Sequence, residues 1–192
     1  MTALAILDLG YGNTESIRLA FARLGVEAAL TTDAEAADRL VIPGVGAAGY
    51  AMQRLRDAGL VDPLRRRTRP TLGICLGMQL MFDHTDEGDT ESLGLLPGRV
   101  RAMTPAPGAP VPHMGWSRLS DVADGIGLKN NDFVYFAHSF ACDDGPATAA
   151  RAAYAARRVT AAIRQGPLWG AQFHPERSSA PGAAFLKAFL DA

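Results

Sequence analysis

The sequence has few cysteines and lacks the marks of a membrane or disulfide-rich protein. Its 192 residues include two cysteines, Cys75 and Cys142, which cannot form a disulfide framework and favour a reducing, cytoplasmic setting. No uninterrupted apolar run approaches the roughly 20 residues that span a bilayer. The first residues contain no basic region and reach Asp8 early, so we expect no signal peptide.

Neither sign of charge dominates, and the sequence shows no internal repeat or low-complexity tract. The formal net charge of −1 at pH 7 gives no reason to expect nucleic acid or an anionic membrane as a partner. With 48% hydrophobic and 20% charged residues, the composition is that of a globular protein. A chain of this length can bury one sizeable core, and we therefore predict a single domain over residues 1–192.

Short apolar strands alternate with helices along most of the chain. Strands are predicted at residues 4–9, 26–30, 39–42, 71–74, 132–136 and 168–173, and helices at 16–24, 50–57, 60–67, 78–82 and 181–190. This alternation is typical of βαβ units with a mainly parallel sheet.

Three regions depart from the βαβ pattern. Residues 82–92 carry many charges and are predicted as a polar loop. Residues 94–119 are rich in proline, glycine and short β-type runs, which predict a small β section inserted into the α/β frame. Residues 149–154 and 159–164 are predicted as a hairpin with a basic turn at Arg157 and Arg158.

Cys75 lies in the most informative stretch, Gly73-Ile-Cys-Leu-Gly77, between a predicted buried strand and a predicted helix. Glycine on both sides permits a tight turn without Cβ clashes, so that the sulfur projects above the sheet edge. The N-terminus of the following helix favours the thiolate. We interpret Cys75 as a nucleophile, against the alternative of a small buried apolar residue.

A thiol nucleophile needs a nearby base, and four histidines are candidates. His84 lies in the acidic loop and is interpreted as a surface residue. His113 lies in the irregular β section, where a structural or interface role is favoured. His138 follows a predicted strand and competes for the role of base with His174, which follows the last buried strand.

The choice falls on His174, with Glu176 as the third member of a triad. The ends of parallel strands gather at one edge of the sheet, which brings Cys75 and His174 together. Pro175 stiffens the turn, so that the Glu176 carboxylate can lie beside the imidazole and fix its tautomer. A zinc site is the alternative for these residue types, but no close ligand pair occurs, and we expect no metal.

A second glycine-rich loop, at residues 43–49, follows the third predicted strand. No lysine of the P-loop pattern follows it, which disfavours a phosphate cradle. A plain αβ connection remains one interpretation of this loop. The other is that its backbone N–H groups stabilise a developing oxyanion.

These motifs resemble those of the class I (triad) glutamine amidotransferases. Gly73-Ile-Cys-Leu-Gly-Met-Gln79 is similar to their nucleophile motif, and Phe173-His-Pro-Glu176 to their His/Glu motif. Residues 43–46, 112–116, 135–139 and 173–178 more closely resemble the glutaminase subunits of imidazole glycerol phosphate synthase, with Pro-His-Met-Gly-Trp116 as the discriminating stretch. The resemblance extends from Asp8 to the closing helix.

The resemblance implies an α/β fold with a central, mainly parallel or mixed sheet, flanked by helices and carrying a small β insertion. It implies that Cys75 attacks the side-chain amide of glutamine, with His174 as acid and base and Glu176 as the orienting group. It also implies an oxyanion site and a glutamine site, the first at Gly44, Val45, Gly46 and Leu76, the second at Gln79, Glu87, Ser139 and Phe140.

The resemblance further implies a heterodimer with a (β/α)₈-barrel cyclase that receives the ammonia, and no cofactor. Asn13 is expected in a loop that faces this partner. Two positions depart from the family: Ser117 stands where Asn is frequent, and Arg177 where Lys is common. Arg177 keeps the charge but changes the hydrogen-bonding geometry, so either departure could alter the fit to the cyclase.

Three alternatives remain open from the sequence. A glutaminase of another synthase, such as the anthranilate or carbamoyl phosphate type, would share the cysteine turn but lack Pro-His-Met-Gly-Trp116. A non-catalytic scaffold relative would have lost Cys75, His174 or Glu176, and all three are present. A cysteine peptidase would need an open substrate cleft. Cys142 is interpreted as a small core residue in every case.

Overall fold

A computed structural model describes residues 2–10, 12–155 and 157–192. Their strands form two β-sheets. The strands of these residues are β1 (Thr2–Leu7), β2 (Ala29–Thr31), β3 (Ala37–Ile42), β4 (Thr71–Ile74), β5 (Phe82–Thr85), β6 (Thr90–Glu91), β7 (Leu96–Ala102), β8 (His113–Ser120), β9 (Phe133–His138), β10 (Phe140–Cys142), β11 (Thr148–Tyr154), β12 (Arg157–Gln165) and β13 (Leu168–Ala171).

Helices cover the sheet and connect its strands. They are α1 (Thr14–Arg23), α2 (Ala48–Asp57), α3 (Val61–Arg66), α4 (Leu76–Gln79) and α5 (Ser179–Leu190), and a 3₁₀ turn spans Pro175–Arg177. Four of the five predicted helices are confirmed with small shifts of their ends. None of the helices in the described ranges is long and apolar enough to cross a membrane.

The larger sheet is mixed, with strand order β2-β1-β3-β4-β13-β12-β11-β8-β9. Its first five strands pair in parallel, and the remaining pairs are antiparallel. The smaller sheet has the order β10-β7-β5-β6. The predicted α/β class is confirmed, and of the two predicted alternatives for the central sheet, mainly parallel or mixed, the structure shows the mixed one.

The core lies on both faces of the larger sheet, because its central strands are buried on both sides. In β1, Leu4 and Ile6 face one apolar cluster, whereas Ala5 and Leu7 face the other. Such strands are read from the sequence as continuous apolar runs, as in parallel sheets covered by helices. The carboxyl ends of β3, β4 and β13 therefore lie together at one edge of a rigid layer.

The predicted helix at residues 78–82 is wrong in its extent. The helix is the single turn α4, and Phe82 begins β5, so that residues predicted as a polar loop form the strand pair β5–β6. Phe82 and Thr85 are buried while Asp83 and His84 are more exposed, and this pattern suits the edge of a small sheet. The helix dipole expected behind Cys75 is thus that of one turn.

The inserted β section is not one unit. Strand β7 pairs with β5 and β10 in the small sheet, whereas β8 pairs with β9 and β11 in the large one. The predicted hairpin is confirmed as β11–β12, but its basic turn is wrong. Arg157 and Arg158 pair with Tyr154 and Ala153 inside the ladder.

Candidate active site

Cys75 connects β4 to α4 in a sharp turn. Its backbone has φ 53° and ψ −111°, a conformation that costs a non-glycine residue on the order of 1–3 kcal/mol. The Cys75 N–H donates to the Ala171 carbonyl at 2.7 Å, and the Cys75 carbonyl accepts from Met78 and Gln79 at 3.1 Å each. These bonds hold the strained residue from both sides, and strain of this kind concentrates at functional sites.

The glycines around Cys75 are required by close packing. A Cβ on Gly77 would lie 2.0 Å from the Ile42 carbonyl oxygen, and one on Gly73 would lie 2.5 Å from the Gly77 oxygen. A Cβ on Gly44 would lie 2.3 Å from the Gly77 nitrogen, so the second glycine-rich loop packs directly on the cysteine turn. The positive φ of this turn falls on Cys75 itself.

His174 and Glu176 lie just beyond β13, beside Cys75. Nδ1 of His174 is 2.9 Å from Oε1 of Glu176, whose side chain is only 1% exposed. Burial favours the neutral imidazole, but the hydrogen bonds to Cys75 and Glu176 and their charges outweigh it and raise the pKa of His174 to about 10. The predicted triad therefore lies together in space, with an imidazolium favoured next to the sulfur.

A cavity of about 410 Å³ opens in front of Cys75. Most of the predicted site residues line it, namely Val45, Gly46, Cys75, Leu76, Gln79, Glu87, Ser139, Phe140 and His174. Two predicted residues are not part of its wall: Gly44 packs on the turn behind it, and Glu176 lies behind the imidazole. Asn13 and Arg177 also line the cavity.

Gln79 and Phe140 contact each other at the cavity wall. Nε2 of Gln79 donates to the Phe140 carbonyl at 2.8 Å, and Nδ1 of His138 donates to the same oxygen at 2.8 Å. Both lone pairs of that carbonyl are then in use. A ligand contact by Phe140 would therefore involve its other atoms.

Glu87 reaches from the β5–β6 turn to the start of α2. Its Oε2 accepts from the Ala48 N–H at 2.8 Å, which places a carboxylate at a helix N-terminus. The contact also ties down the end of the loop that contains Val45 and Gly46. Gly46 has φ 91°, a conformation that favours glycine at this position.

The other histidines do not contact Glu176. His84 is partly exposed, with Nε2 3.1 Å from Asp89. His138, the competing base, is buried and paired with His113 across strands β8 and β9. Burial, reinforced by His174 and only partly offset by the bond to Phe140, lowers the pKa of His138 to about 4, which makes it a poor base at neutral pH.

Sequence reasoning missed Gln172. This residue is fully buried, and its Nε2 lies 3.8 Å from Cys75 Sγ. It directly follows β13 and precedes His174 by two positions, so the alternation of a strand end places it on the same side as the histidine. The sequence contains one indication of this role: Gln172 is a polar residue in an apolar run, two positions before a candidate base.

Comparison with known protein families gives a match over nearly the whole chain. The model of the family described as "Glutamine amidotransferase class-I" matches residues 5–192. The chain belongs to this family. No group of three or more His, Cys, Asp or Glu side chains that could hold a metal ion occurs within the described ranges.

Two similar relatives within the family carry the same description. "Imidazole glycerol phosphate synthase subunit HisH" of Xanthomonas axonopodis pv. citri (strain 306) is 49% identical over 197 residues, covering 100% of this chain and 98% of that protein. The protein of the same description from Xylella fastidiosa (strain Temecula1 / ATCC 700964) is 47% identical over 203 residues, with the same coverage. This amidotransferase is thus a member of the HisH family.

Solved structures with low sequence identity have the same fold. A protein described as a glutamine amidotransferase has a TM-score of 0.76 at 20% identity, covering 97% of this chain and 99% of that one. A chain of PurLQS from Thermotoga maritima has a TM-score of 0.72 at 17% identity, covering 100% of this chain and 99% of that one. At such low identity these similarities show the fold alone.

Proposed function

We propose that this amidotransferase hydrolyses glutamine to glutamate and ammonia through Cys75, His174 and Glu176, as the glutaminase subunit of imidazole glycerol phosphate synthase. The observation that carries the proposal is the pairing of His174 with Glu176 beside a strained cysteine at the base of a cavity. The raised pKa of His174 supports it, because an imidazolium next to the sulfur can give its proton to the leaving amide nitrogen.

The proposed reaction has two halves. Cys75 Sγ attacks the side-chain amide carbon of glutamine, and the tetrahedral intermediate collapses as His174 donates its proton to the leaving nitrogen. Ammonia departs and a γ-glutamyl thioester remains on Cys75. His174, now neutral, takes a proton from water, which attacks the thioester and releases glutamate, and the proton on His174 restores the starting pair.

The cavity wall supplies the remaining groups of the proposal. The N–H of Leu76 is the first of α4, where backbone donors have no partner inside the helix, so it can face an oxyanion. The backbone of Gly44, Val45 and Gly46 supplies the second donor. The glutamine head group is surrounded by Gln79, Glu87, Ser139 and Phe140. The Glu87 carboxylate pairs with the ammonium group of glutamine.

We propose that ammonia passes to a (β/α)₈-barrel cyclase in a heterodimer. Met114 and Trp116 are 63% and 51% exposed on β8, on the strand face opposite His113, and Met114 also lines the cavity. The Arg177 guanidinium lies 4.9 Å from the Tyr135 ring centroid at the same mouth. Exposed aromatic and arginine side chains at a cavity rim are typical of an interface.

Two further parts of the proposal concern the setting of the reaction. The chemistry uses no cofactor, because the thiol, the imidazole and water supply every group that reacts. A reduced thiol is required for catalysis, which supports the proposal that the protein works in the cytoplasm.

The test compares the two cysteines. Cys75→Ala should abolish ammonia release from glutamine and covalent labelling by a diazo-ketone analogue of glutamine, while circular dichroism and thermal unfolding remain those of a folded chain. Cys142→Ala is the matched control, because burial raises the pKa of the Cys142 thiol and keeps it unreactive. Hydrolysis by Cys75→Ala at the rate of the parent chain would remove Cys75 from the mechanism.

A further inference from the structure

Buried polar groups form a continuous path between the nucleophile and strand β8. At one end, Gln172 donates from Nε2 to Cys75 Sγ at 3.8 Å. At the other end, Oγ of Ser117 lies 2.8 Å from Nε2 of His113. The proposed mechanism gives no role to His113 or Gln172, and both are almost completely buried.

Four contacts join these two ends. Nδ1 of His113 lies 2.9 Å from Nε2 of His138, and Nδ1 of His138 lies 2.8 Å from the Phe140 carbonyl oxygen. That oxygen also accepts from Nε2 of Gln79 at 2.8 Å, and the same nitrogen donates to Oε1 of Gln172 at 2.9 Å. Each link has the length of a good hydrogen bond.

The Phe140 carbonyl fixes the direction of every bond on the side of the nucleophile, because a carbonyl can only accept. Gln79 must therefore turn its amide NH₂ group toward it. The second hydrogen of this NH₂ group is donated to Gln172, so the side-chain oxygen of Gln172 must be the acceptor. The NH₂ group of Gln172 is then free to donate to Cys75 Sγ. A charged sulfur is the acceptor that such a donor stabilises most.

The same carbonyl fixes the bonds toward β8. Burial lowers the pKa of both His113 and His138 to about 4, so both rings are neutral near pH 7. Since His138 donates to Phe140 from Nδ1, its Nε2 must accept, and His113 must donate from Nδ1 in turn. Nε2 of His113 then accepts from the Ser117 hydroxyl. Only one arrangement of hydrogens satisfies all six links.

We propose that His113, His138 and Gln172 are positioning residues of this network, whose hydrogens adopt one arrangement and whose end is the nucleophilic sulfur. Gln172 stabilises negative charge on the sulfur by donating a hydrogen bond to it. The two histidines affect glutamine binding. They fix the position of the Phe140 carbonyl by hydrogen bonding, and this carbonyl orients the side chain of Gln79. The inference rests on the proposed role of Cys75 in glutamine hydrolysis.

Histidine tautomers test the network without any reference to activity. In the full chain labelled with ¹⁵N-histidine, long-range ¹H–¹⁵N correlation spectra should show His113 and His138 as Nδ1–H tautomers from pH 8 to pH 6. An Nε2–H tautomer at either residue, or averaging between the two forms, would overturn the proposal, because the chain of donors would then be broken.

Reaction with 6-diazo-5-oxo-norleucine, a glutamine analogue that alkylates the nucleophile, separates the two halves of the network. Gln172→Met removes the donor to Cys75 and should lower kinact and the rate of iodoacetamide alkylation about tenfold at pH 7, with KI little changed. His138→Leu should instead raise KI about tenfold. His138→Asn, whose amide NH₂ can replace Nδ1–H, should restore most of the affinity.

Thr160→Val is the matched control, since Thr160 is a buried polar residue outside the network. If Gln172→Met alters kinact no more than this control, or if His138→Asn rescues no affinity, the proposal fails. If the parent chain reacts with iodoacetamide at Cys75 but not with the analogue, the proposed function fails instead, and the tautomers alone decide the network.

Discussion

Glu176 helps to set the charge of its neighbour His174, because the hydrogen bond and the negative charge of Glu176 raise the pKa of that imidazole. Its carboxylate is buried, and one of its oxygens, Oε2, has no hydrogen-bond partner among the residues that the structure describes. A buried carboxylate needs a paired positive charge, and the imidazolium of His174 supplies it. The buried carboxylate of Glu176 and the imidazolium of His174 therefore stabilise one another.

We predict that Glu176→Gln lowers the pKa of His174 from its value of about 10, because the amide removes a negative charge next to the imidazolium. In the proposed mechanism the imidazolium gives its proton to the leaving nitrogen, so the alkaline limb of the kcat/KM profile should move to lower pH. The loss of kcat should be smaller than that of His174→Ala. A Glu176→Gln variant with less activity than His174→Ala would show that the roles are assigned wrongly.

Gly77 shows how one missing Cβ shapes the cysteine turn. Gly77→Ala places a methyl group 2.0 Å from the Ile42 carbonyl oxygen, a backbone atom that cannot rotate away. We expect the free energy of unfolding to fall by about 2–4 kcal/mol in urea denaturation. At Gly145 a Cβ would have no heavy atom within 4 Å, so Gly145→Ala should change stability by less than about 0.5 kcal/mol. Equal effects of the two variants would contradict this explanation.

At the scale of elements, β8 and β9 are joined through their histidines. His113 and His138 are directly opposite each other in the ladder, and the His113 ring stacks on Tyr154 at 3.7 Å and on Phe136 at 4.7 Å between ring centroids. Their pairing places two ionisable groups in one apolar layer. It is stable because both groups remain neutral.

The free energy of unfolding should therefore decrease as the pH falls from about 6.5 to about 4. In this window the unfolded chain binds protons at His113 and His138, whose ordinary pKa is 6.5, while the folded chain, with pKa values of about 4, does not. Urea titrations of the parent chain and of His138→Leu measure the effect. The variant should show a smaller change with pH, and an unchanged slope would contradict the lowered pKa.

The elements of the parallel half could be predicted from the sequence because their signals are local. Apolar runs mark β1, β3, β4 and β13, and the carboxyl ends of β4 and β13 bring the three residues of the predicted triad together at one edge. The structure of residues 82–92 and 94–119 depends on which distant strands they pair with, and a local sequence pattern does not contain that information. Thus the sequence predicts one β section for the residues of β7 and β8, although the two strands join different sheets.

The site was predictable to the same degree. The proximity of Cys75, His174 and Glu176 is predictable from their positions at strand ends and at a helix start. Gln172 and the contacts of His138 were not found, because they depend on side-chain pairing between β9, β13 and α4. The two hydrogen bonds to the Phe140 carbonyl are likewise not predictable from the sequence, because they depend on how the Gln79 and His138 side chains are placed in the folded chain.

At the scale of the whole molecule, the cavity and the exposed strand face lie on one side. We predict that Trp116→Ala weakens association with the cyclase by about 2 kcal/mol or more, roughly thirtyfold in Kd, because exposed tryptophans at interface centres carry much of the binding energy. Leu30→Ala is the control, since Leu30 is an exposed apolar residue on β2, at the opposite edge of the sheet. Isothermal titration calorimetry measures both, and equal losses would contradict the proposed docking face.

The most direct test of the account is ammonia release from glutamine by the purified chain, alone and with a cyclase of the same synthase that carries its nucleotide ligand. We predict weak release by the isolated chain and strong release in the ligated complex, with Cys75→Ala inactive in both. Full activity of the isolated chain, unchanged by the cyclase, would contradict a role in supplying ammonia to a partner. Absence of activity in both states with Cys75 reduced would contradict the proposed chemistry.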